Sequence, residues 1–269
     1  MPTTNLVQLT AIIKTFERPK CLARLLDSIQ KFYPDLRIIV ADDSLANRPL
    51  ESRLQDLLAP THRSYLRLPA DIGLSAGRNA MLARVRTPYF LLLDDDLQFY
   101  RHTRLESLLQ HVASGQRDLV AGELVHCRKK LLFVSRNIQP VHGTFHVEDG
   151  QLTMRRGGVL VDDGILKCDL VHNFYVARTD RIRAMGGWDP DLKLDEQEEF
   201  FFRARQFNLR IGMCPEIKAR HWGPRRSSSQ YTEYRSRCYK NLAVDKMGLK
   251  RLVDYDGQAI GALPKDLAA

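Results

Sequence analysis

Strand-length apolar runs alternate with helix-period segments in the first half of the chain, and this alternation constrains the fold more than any other feature. Leu9–Thr15 and residues 37–41 and 89–93 are runs of apolar and β-branched residues, as expected for parallel strands that are buried on both faces. After Pro19, a residue that the first turn of a helix tolerates, apolar residues recur at helical spacing and predict a helix. The alternation predicts an α/β fold with a mostly parallel sheet flanked by helices.

The pattern loosens beyond residue 118, where glycines and polar residues interrupt shorter apolar runs. We expect a hairpin or loop at residues 142–158 and a terminal helix over residues 228–247, where tyrosines recur at helical spacing. The chain is thereby divided into two halves of one domain and a basic, helical C-terminal extension: 1–118, 119–225 and 226–269.

Charge and cysteine content narrow the class of protein. Lys and Arg exceed Asp and Glu by 41 − 32, or +9, and basic residues crowd the C-terminal third, which favours anionic partners. A DDD run and a DEQEE run are atypical of a nucleic-acid binder, so no nucleic-acid partner is expected. Five dispersed cysteines without CxxC spacing predict reduced thiols.

The N-terminal residues and the longest apolar runs bear on location. Residues 1–8 lack the charged and apolar regions of a secretory signal, and no apolar run reaches the length of a membrane span. We therefore expect a cytoplasmic protein. The basic, tyrosine-containing C-terminal region has two open interpretations: peripheral contact with the inner face of the membrane, or closure over a bound ligand.

Two acidic clusters directly follow predicted strands. Asp94, Asp95 and Asp96 come after the run FLLL, and Asp42 and Asp43 end the second strand. Parallel sheets bind ligands beyond the carboxyl ends of their strands, where both clusters lie. Three adjacent carboxylates repel one another unless a cation relieves them, which favours a divalent metal site at residues 94–96 over a solvated acidic turn.

The stretch GLSAGRN at residues 73–79 places a glycine and an arginine at a predicted helix start. Gly73 permits close backbone approach to a ligand, and the Arg78 guanidinium has the geometry to bind a base carbonyl or a phosphate. The stretch matches neither the P-loop nor the dinucleotide glycine pattern, which argues against a kinase or a dehydrogenase. Asp42 and Asp43 have two interpretations, an acceptor for the N3–H of uracil and a helix N-cap.

Residues 194–203, LDEQEEFFFR, place four carboxylates before an aromatic run. Glu196 and Glu199 are three residues apart and therefore share a helix face, from which a carboxylate can deprotonate an acceptor hydroxyl. One base is expected among Asp195, Glu196 and Glu199. His221 is a candidate third ligand for a Mn²⁺-like ion, although a lone histidine is more often structural.

Together these segments resemble the GT-A glycosyltransferases of the large family-2-like group, and most of all the ganglioside-type β-1,4-N-acetylgalactosaminyltransferases. The order ADDS, GRN, DDD, NFYVAR is specific as a set. The resemblance implies a Rossmann-like GT-A domain over residues 1–225, nucleotide-binding in its first half and acceptor-binding in its second. The segments that carry it are KTFERPKCLARLLDSI, RIIVADDS, GLSAGRN, YFLLLDDDL, VHNFYVARTDRIRAMGGWDPDL and EEFFFR.

The resemblance also implies roles for the residues of the nucleotide-binding half. Thr15 and one of Asp42 or Asp43 would hold uridine, with Arg78 near the uracil. Asp94 would lie by the ribose. The other residues implied for the nucleotide-sugar site are Phe16, Arg18, Gly73, Asp95 and Asn173.

A metal and an acceptor site follow from the same resemblance. Asp96 and His221 would bind a Mn²⁺ (or Mg²⁺) ion that bridges the diphosphate of a UDP-sugar. Gly187 and Trp188 would form the floor of the acceptor site, for a glycan or a glycolipid. The reaction implied is the inverting, metal-dependent transfer of GalNAc, GlcNAc or a hexose to a hydroxyl group.

One position departs from the family pattern. Many relatives carry Glu-Asp on the acceptor side, with the Asp as base, whereas this chain has Glu196 and Gln197 there, and glutamine cannot act as a base. The ganglioside-type enzymes match better at Glu199, just before the Phe run. The predicted base is therefore Glu199, with Glu196 second.

Two other functions compete with this interpretation. A sugar nucleotidyltransferase would share the sheet and the metal chemistry, but such enzymes carry a glycine-rich loop near the first strand, and KTFER at residues 14–18 has no glycine. A basic protein that binds nucleic acid or anionic lipid would leave both acidic clusters unexplained. Asp96→Asn separates the classes, because it should abolish transfer but leave or strengthen polyanion binding.

Overall fold

The computed structural model describes residues 6–45, 50–129, 134–138, 140–161, 164–223 and 229–261. The helices are α1 (Pro19–Phe32), α2 (Ser52–Leu58), α3 (Leu74–Leu82), α4 (Leu105–Ala113), α5 (Thr179–Ala184), α6 (Gln197–Gln206), α7 (Ser229–Ser236) and α8 (Lys240–Lys246). The strands are β1 (Leu9–Thr15), β2 (Arg37–Asp42), β3 (Arg63–Arg67), β4 (Tyr89–Asp94), β5 (Leu97–Gln98), β6 (Leu119–Lys129), β7 (Val134–Ile138), β8 (Gly143–Glu148), β9 (Gln151–Arg156), β10 (Val159–Leu160), β11 (Leu166–Lys167), β12 (Phe174–Arg178), β13 (Ile211–Trp222), β14 (Arg251–Val253) and β15 (Ala259–Ile260).

A large mixed sheet forms the centre of the fold, in the order β10-β11-β13-β6-β12-β4-β1-β2-β3. The first four strands along the chain are parallel, with β1 between β2 and β4, and β12 runs antiparallel between β4 and β6. Every residue of β1 is buried, as its apolar sequence requires. The predicted α/β fold, with helices on both faces of a mostly parallel first half, is confirmed.

Side chains that alternate along the central strands feed two apolar layers. Ile13 packs in one layer with Leu25 of α1, and Ile12 packs in the other with Met81 of α3. All four of these side chains are fully buried. Because each such burial contributes about 1.5–3 kcal/mol, the two layers hold the strand ends in a fixed arrangement.

The C-terminal segment differs from the predicted helical extension. The sequence predicts a single helix over residues 228–247, but the described part contains α7 and α8, separated where the Tyr239 N–H donates to Asp195 Oδ2 at 2.7 Å instead of continuing a helix. Residues 251–260 form two strands rather than helix. Here β14 pairs in parallel with β9, and Leu252 is buried beside Leu152, so a tertiary partner overrides the weak local pattern.

A smaller sheet, in the order β15-β14-β9-β8, therefore joins the C-terminal segment to the hairpin that was expected at residues 142–158. No described helix has the length and apolarity needed to cross a membrane. The carboxyl ends of β1, β2 and β4 meet at one edge of the large sheet, and β12 begins at that edge. This edge positions the site described next.

Candidate active site

A cleft of about 600 Å³ opens at this edge of the large sheet. It is lined from three directions: the carboxyl ends of β1 and β4, the start of α6, and the segment from α7 to α8. The predicted site residues that line it are Thr15, Phe16, Arg18, Arg78, Asp94, Asp95, Asp96, Asn173, Glu196 and His221. Those that the structure does not place in its lining are Asp42, Asp43, Gly73, Gly187, Trp188 and Glu199.

The three aspartates that follow β4 have different partners. Asp95 Oδ2 accepts a hydrogen bond from the Thr15 hydroxyl at 2.7 Å, and Arg18 Nη1 lies 3.1 Å from Asp95 Oδ1. Arg18 Nη2 donates to Asp96 Oδ2 at 2.7 Å. Asp94 accepts longer contacts of 3.3 Å from the Asn173 amide and from Arg78. One cation, Arg18, thus bridges the two deeper carboxylates, while 42% of the Asp94 side chain is exposed.

Burial and charge act in opposite directions on the two deeper carboxylates. Burial raises the pKa of Asp95 to about 7, despite the charge of Arg18. At Asp96 the effect of burial is outweighed by the hydrogen bond and charge of His221 and by Arg18, which lower its pKa to about 2. Asp96 is therefore the carboxylate of this pair that stays ionised at neutral pH, as a metal ligand must.

A divalent cation fits the Asp96 end of the cleft. Asp96 Oδ1 is buried without a hydrogen-bond partner, and His221 Nε2 lies 3.4 Å from Asp96 Oδ2. The other ring nitrogen of His221 lies 3.0 Å from His126 Nδ1, which fixes the orientation of the ring. Carboxylate oxygen and imidazole are ligands that Mn²⁺ accepts. Within the described ranges, no group of three or more His, Cys, Asp or Glu side chains is arranged to hold a metal, and Asp96 and His221 are the two candidate ligands at this end of the cleft.

Arg78, predicted near a base or a phosphate, lies instead between two carboxylates. Its Nη1 forms a short ion pair with Glu196, and its Nη2 lies 3.3 Å from Asp94. The guanidinium also lies over the Trp188 ring, 5.7 Å from its centroid. Because the Arg78 side chain is almost completely buried, it can neutralise this wall of the cleft but presents little surface to a ligand.

Trp188 and Gly187, predicted as the acceptor floor, support the cleft from behind. The Trp188 ring is buried and stacks on Phe200, with centroids 5.0 Å apart. The Asn79 side chain donates to the Trp188 carbonyl oxygen at 2.7 Å and accepts from the Trp188 N–H at 3.0 Å. Gly187 has φ +70°, and a Cβ at this position would lie 2.3 Å from Asn79 Oδ1. The glycine is therefore required by packing and not by an acceptor.

Asp42, Asp43 and Gly73 form a separate polar cluster beside the cleft. Asp43 is fully buried, forms a short ion pair with Lys14 and accepts a 2.9 Å bond from the Gly73 N–H. Asp42 accepts from the Tyr65 hydroxyl at 2.6 Å and from Ser44. Gly73 has φ +92° and contacts Lys193, so its glycine character serves the backbone. Because the carboxylates of Asp42 and Asp43 are occupied by these neighbours, they are poor candidates for binding a uracil base unless the cluster rearranges.

The carboxylates around the start of α6 differ in their partners and in whether they line the cleft. Both oxygens of Glu199 are taken by Arg203, at 2.7 and 3.0 Å, and its side chain lies outside the cleft lining. Glu196 lines the cleft but is paired with Arg78, and burial raises its pKa despite that charge. Glu199 is therefore a structural ion pair, because helical geometry places Arg203 one turn later on the same face.

Glu198 is the carboxylate that the sequence analysis missed. It lines the cleft, forms no ion pair with any described residue, and burial raises its pKa to about 7. The only signal in the sequence was its membership of the DEQEE run, which did not separate it from its neighbours.

The segment from α7 to α8 covers one side of the cleft, although none of its residues was among the predicted site residues. Arg18 Nη1 donates to the Tyr231 hydroxyl at 3.0 Å, and its guanidinium stacks on the Tyr231 ring. Tyr234 stacks on Phe16 with centroids 4.5 Å apart, and Arg237 anchors the segment to Asp71 at 2.5 Å. Of the two interpretations of the C-terminal region, these contacts favour closure over a ligand.

Residues 10–178 match the protein family described as Glycosyl transferase family 2. Curated relatives include mouse Beta-1,4 N-acetylgalactosaminyltransferase 2, 34% identical over 223 residues, and human Beta-1,4 N-acetylgalactosaminyltransferase 1, 32% identical over 253 residues. These alignments cover 81% and 84% of this chain but only 39% and 42% of the two relatives. The chain thus spans about two fifths of the length of the relatives it matches.

Solved structures show the same fold at low sequence identity. GalNAc-T7, solved with UDP, GalNAc and Mn²⁺, matches with a TM-score of 0.61 at 15% identity, over 80% of this chain and 43% of that one. S. aureus TarS 1-349 matches with a TM-score of 0.59 at 14% identity, over 88% and 64%. The chain therefore belongs to glycosyl transferase family 2 and has the GT-A fold.

Proposed function

We propose that the chain transfers a sugar, N-acetylgalactosamine first among the candidates, from its UDP conjugate to a hydroxyl group of a glycan or glycolipid, with inversion at the anomeric carbon. The names of the curated relatives support the sugar, and the UDP and GalNAc with which GalNAc-T7 was solved support UDP as the carrier. Membership of glycosyl transferase family 2 supports the reaction class.

One observation carries the proposal. The cleft joins Asp96, with a buried carboxylate oxygen that lacks a partner, to the imidazole of His221 and the guanidinium of Arg18. Such a set of metal ligands beside an arginine suits a diphosphate, because a bound metal ion and an arginine that donates to phosphate oxygens together balance its negative charge. Asp96 and His221 would hold Mn²⁺ or Mg²⁺, which when bound supplies a positive charge next to the leaving diphosphate.

Arg18 has the position to serve the leaving group directly. Its guanidinium contacts Asp95 and Asp96 and is stacked on Tyr231, so its charge is held at the metal end of the cleft. When UDP departs, negative charge grows on the diphosphate, and a fixed guanidinium stabilises that charge without reorganising. Thr15 and Asn173 keep Asp95 and Asp94 in place for the same donor.

Glu198 is the base in this proposal. Glu199 is occupied by Arg203 and Glu196 by Arg78, whereas Glu198 lines the cleft with no cation within ion-pairing distance among the described residues. Its carboxylate takes the proton of the acceptor hydroxyl while the acceptor oxygen bonds to the anomeric carbon. The bond from that carbon to the diphosphate oxygen breaks in the same step, and the electron pair leaves with UDP.

A UDP-release assay tests the function. The wild type is incubated with a panel of UDP-sugars, with and without Mn²⁺, in parallel with Asp96→Asn. We expect release from UDP-GalNAc that needs the metal and is lost in the variant, and inverted product by NMR once an acceptor is found. A chain that neither releases UDP from any donor nor binds UDP by calorimetry would contradict the proposal, as would a covalent glycosyl-enzyme intermediate.

A further inference from the structure

The cleft of about 600 Å³ described above is called here the donor cleft. A second cleft, of about 570 Å³, lies outside it, and four of its eight described lining residues are Arg or Lys. It shares no lining residue with the donor cleft. Arg220 and His221 are neighbours in β13, and successive side chains of a strand point to opposite faces. His221 faces the donor cleft, so Arg220 faces the second one, called here the Arg220 cleft. Its charged and aromatic lining comprises Tyr100, Arg101, Arg136, Glu216, Lys218 and Arg220.

The positive charge of the Arg220 cleft is not neutralised by the part of the protein that the structure describes. Glu216 is the single carboxylate among the described lining residues, and that side chain is 83% exposed and lies 3.5 Å from Arg104, outside the cleft. Arg136, Lys218 and Arg220 have no carboxylate within 4 Å among the described residues, whereas other arginines, such as Arg210, are paired. Three unpaired cations facing one concavity raise its potential and attract an anion.

The aromatic wall of the Arg220 cleft orients one of these cations. The Arg220 guanidinium lies over the Tyr100 ring, 4.6 Å from its centroid, and both side chains are half-buried. A stacked guanidinium keeps its N–H edges free and loses little further freedom when it binds. Planar N–H donors at a fixed edge suit the oxygens of a phosphate group, and Lys218 adds a point charge.

A third cleft, also of about 570 Å³, adjoins the Arg220 cleft and shares Tyr100 and Arg220 with it. Its wall includes Arg24 of α1, whose Nε and Nη2 atoms are buried without a hydrogen-bond partner. Lys20 lies one turn earlier on the same face of α1 and also lines this cleft. The same wall carries two carboxylates, Asp27, which pairs with Arg53 at 2.5 Å, and Glu51. The donors of Arg24 that lack acceptors lie next to the Arg220 cleft, so an extended ligand has room for a further contact there.

We infer that the Arg220 cleft is a second binding site, distinct from the donor cleft, for a ligand that carries a phosphate group. A phosphate monoester carries up to about two negative charges and a polyphosphate carries more, so either matches three unpaired cations better than a single carboxylate does. The site is independent of the proposed transfer reaction, because it shares no lining residue with the donor cleft.

The Arg220 cleft, and not the C-terminal region, is therefore the expected place for contact with an anion. There, Arg237 is paired with Asp71, and Lys246 is paired with Asp189 at 2.9 Å and Asp191 at 2.5 Å. Arg225 and Arg226 lie outside the described residues. The cations of these two clefts thus include Arg136 on β7, Lys218 and Arg220 on β13, and Arg24 on α1, whereas Lys240 of α8 lines the donor cleft.

Calorimetric titration with sodium tripolyphosphate, in EDTA at low salt, tests the site. We expect saturable binding to the wild type and binding at least about tenfold weaker in Lys218→Ala/Arg220→Ala. Arg37→Ala/Arg86→Ala, which removes two exposed cations from the opposite edge of the sheet, is the matched control and should bind like the wild type. Arg18→Ala, which removes a donor-cleft cation, should also retain this binding.

A second arm distinguishes a soluble phosphate ligand from a phospholipid head group. The same variants are sedimented with vesicles of phosphatidylcholine containing phosphatidic acid. Vesicle binding that depends on Lys218 and Arg220 identifies a lipid source, and tripolyphosphate binding without vesicle binding identifies a soluble one. The inference is overturned if the wild type binds neither probe, or if the double variant and its control bind both probes equally. Far-UV circular dichroism confirms that all variants are folded, and UDP binding does so for the variants outside the donor cleft.

Discussion

Two runs of carboxylates border the donor cleft, and their negative charges are balanced in different ways. In the run that follows β4, Arg18 bridges Asp95 and Asp96, and the unpartnered oxygen of Asp96 is left for a metal. In the run at the start of α6, Glu196 and Glu199 each have an arginine of their own. Neighbours in sequence thus differ through their partners: one arginine bridges two carboxylates in the first run, whereas in the second run the charge is cancelled except at Asp195, which accepts the Tyr239 N–H, and at Glu198.

The largest effect is expected from Asp96→Asn. The substitution keeps the shape but removes the charge beside His221 and Arg18, so we expect kcat/KM for UDP release to fall roughly a thousandfold. The assay is run at saturating Mn²⁺, with the exposed Asp245→Asn as the control for loss of one carboxylate. Activity within tenfold of the wild type would break the assignment of the first run to the donor.

Glu198→Gln tests the second run and should rank next. Loss of the base is expected to lower kcat by roughly a hundredfold or more, with the KM for the donor nearly unchanged, because Glu198 acts on the acceptor hydroxyl. Steady-state kinetics with an acceptor measure both constants. Glu199→Gln, at the neighbouring position, is the matched comparison. If Glu199→Gln lost more kcat than Glu198→Gln while remaining folded, the assignment of the base would be reversed.

The pH dependence of kcat/KM tests the assignment of Glu198 as the base through a smaller effect. A base must be deprotonated, and burial raises the pKa of Glu198 to about 7, so kcat/KM of the wild type should rise about tenfold per unit below that pH and level off above it. In Glu198→Gln the residual rate should lose this rise. A profile between pH 5 and 9 measures it, and an unchanged rise in the variant would assign the titration to another group.

The smallest effect is on stability and has opposite signs at the two glutamates. Because the pKa of Glu198 is raised in the folded state, the folded protein binds its proton more tightly than the unfolded chain, so stability decreases as pH rises from about 4.5 towards 7. Glu198→Gln should therefore stabilise the protein at pH 8 by on the order of 1 kcal/mol and have little effect at pH 4.

Glu199→Gln should instead destabilise by about 1–3 kcal/mol at pH 8, because it leaves the Arg203 guanidinium without its carboxylate. Thermal unfolding at both pH values, followed by circular dichroism, measures the two changes. Destabilisation by Glu198→Gln at pH 8 would show that this carboxylate has a stabilising partner, and the contrast between the two residues would disappear.

Much of the fold of residues 1–118 was predictable because its signals are local. The strands β1, β2 and β4 are continuous apolar runs, and the carboxylates after β4 follow directly in sequence, so their shared edge follows from parallel pairing. Thr15, Arg18 and Asp96 line one cleft, as expected of residues that follow neighbouring strand ends. Gly187 and Trp188 lie behind that lining, and no local signal distinguishes a residue that supports a cleft from one that lines it.

What the residue pattern established on its own was the class of the fold, the edge at which a site would form, and the kind of chemistry that three adjacent aspartates require. Most of the difference among the carboxylates came from long-range pairing: Arg78 meets Glu196 across 118 positions, and Arg18 meets Asp96 across 78. Glu199 and Arg203 are the exception, because they are only 4 positions apart. The same holds for the C-terminal strands, because β14 exists only where β9 offers a partner. Hydrophobic periodicity is a local property that can be read from the sequence, whereas the partner of a buried charge is often distant in sequence and depends on the tertiary structure.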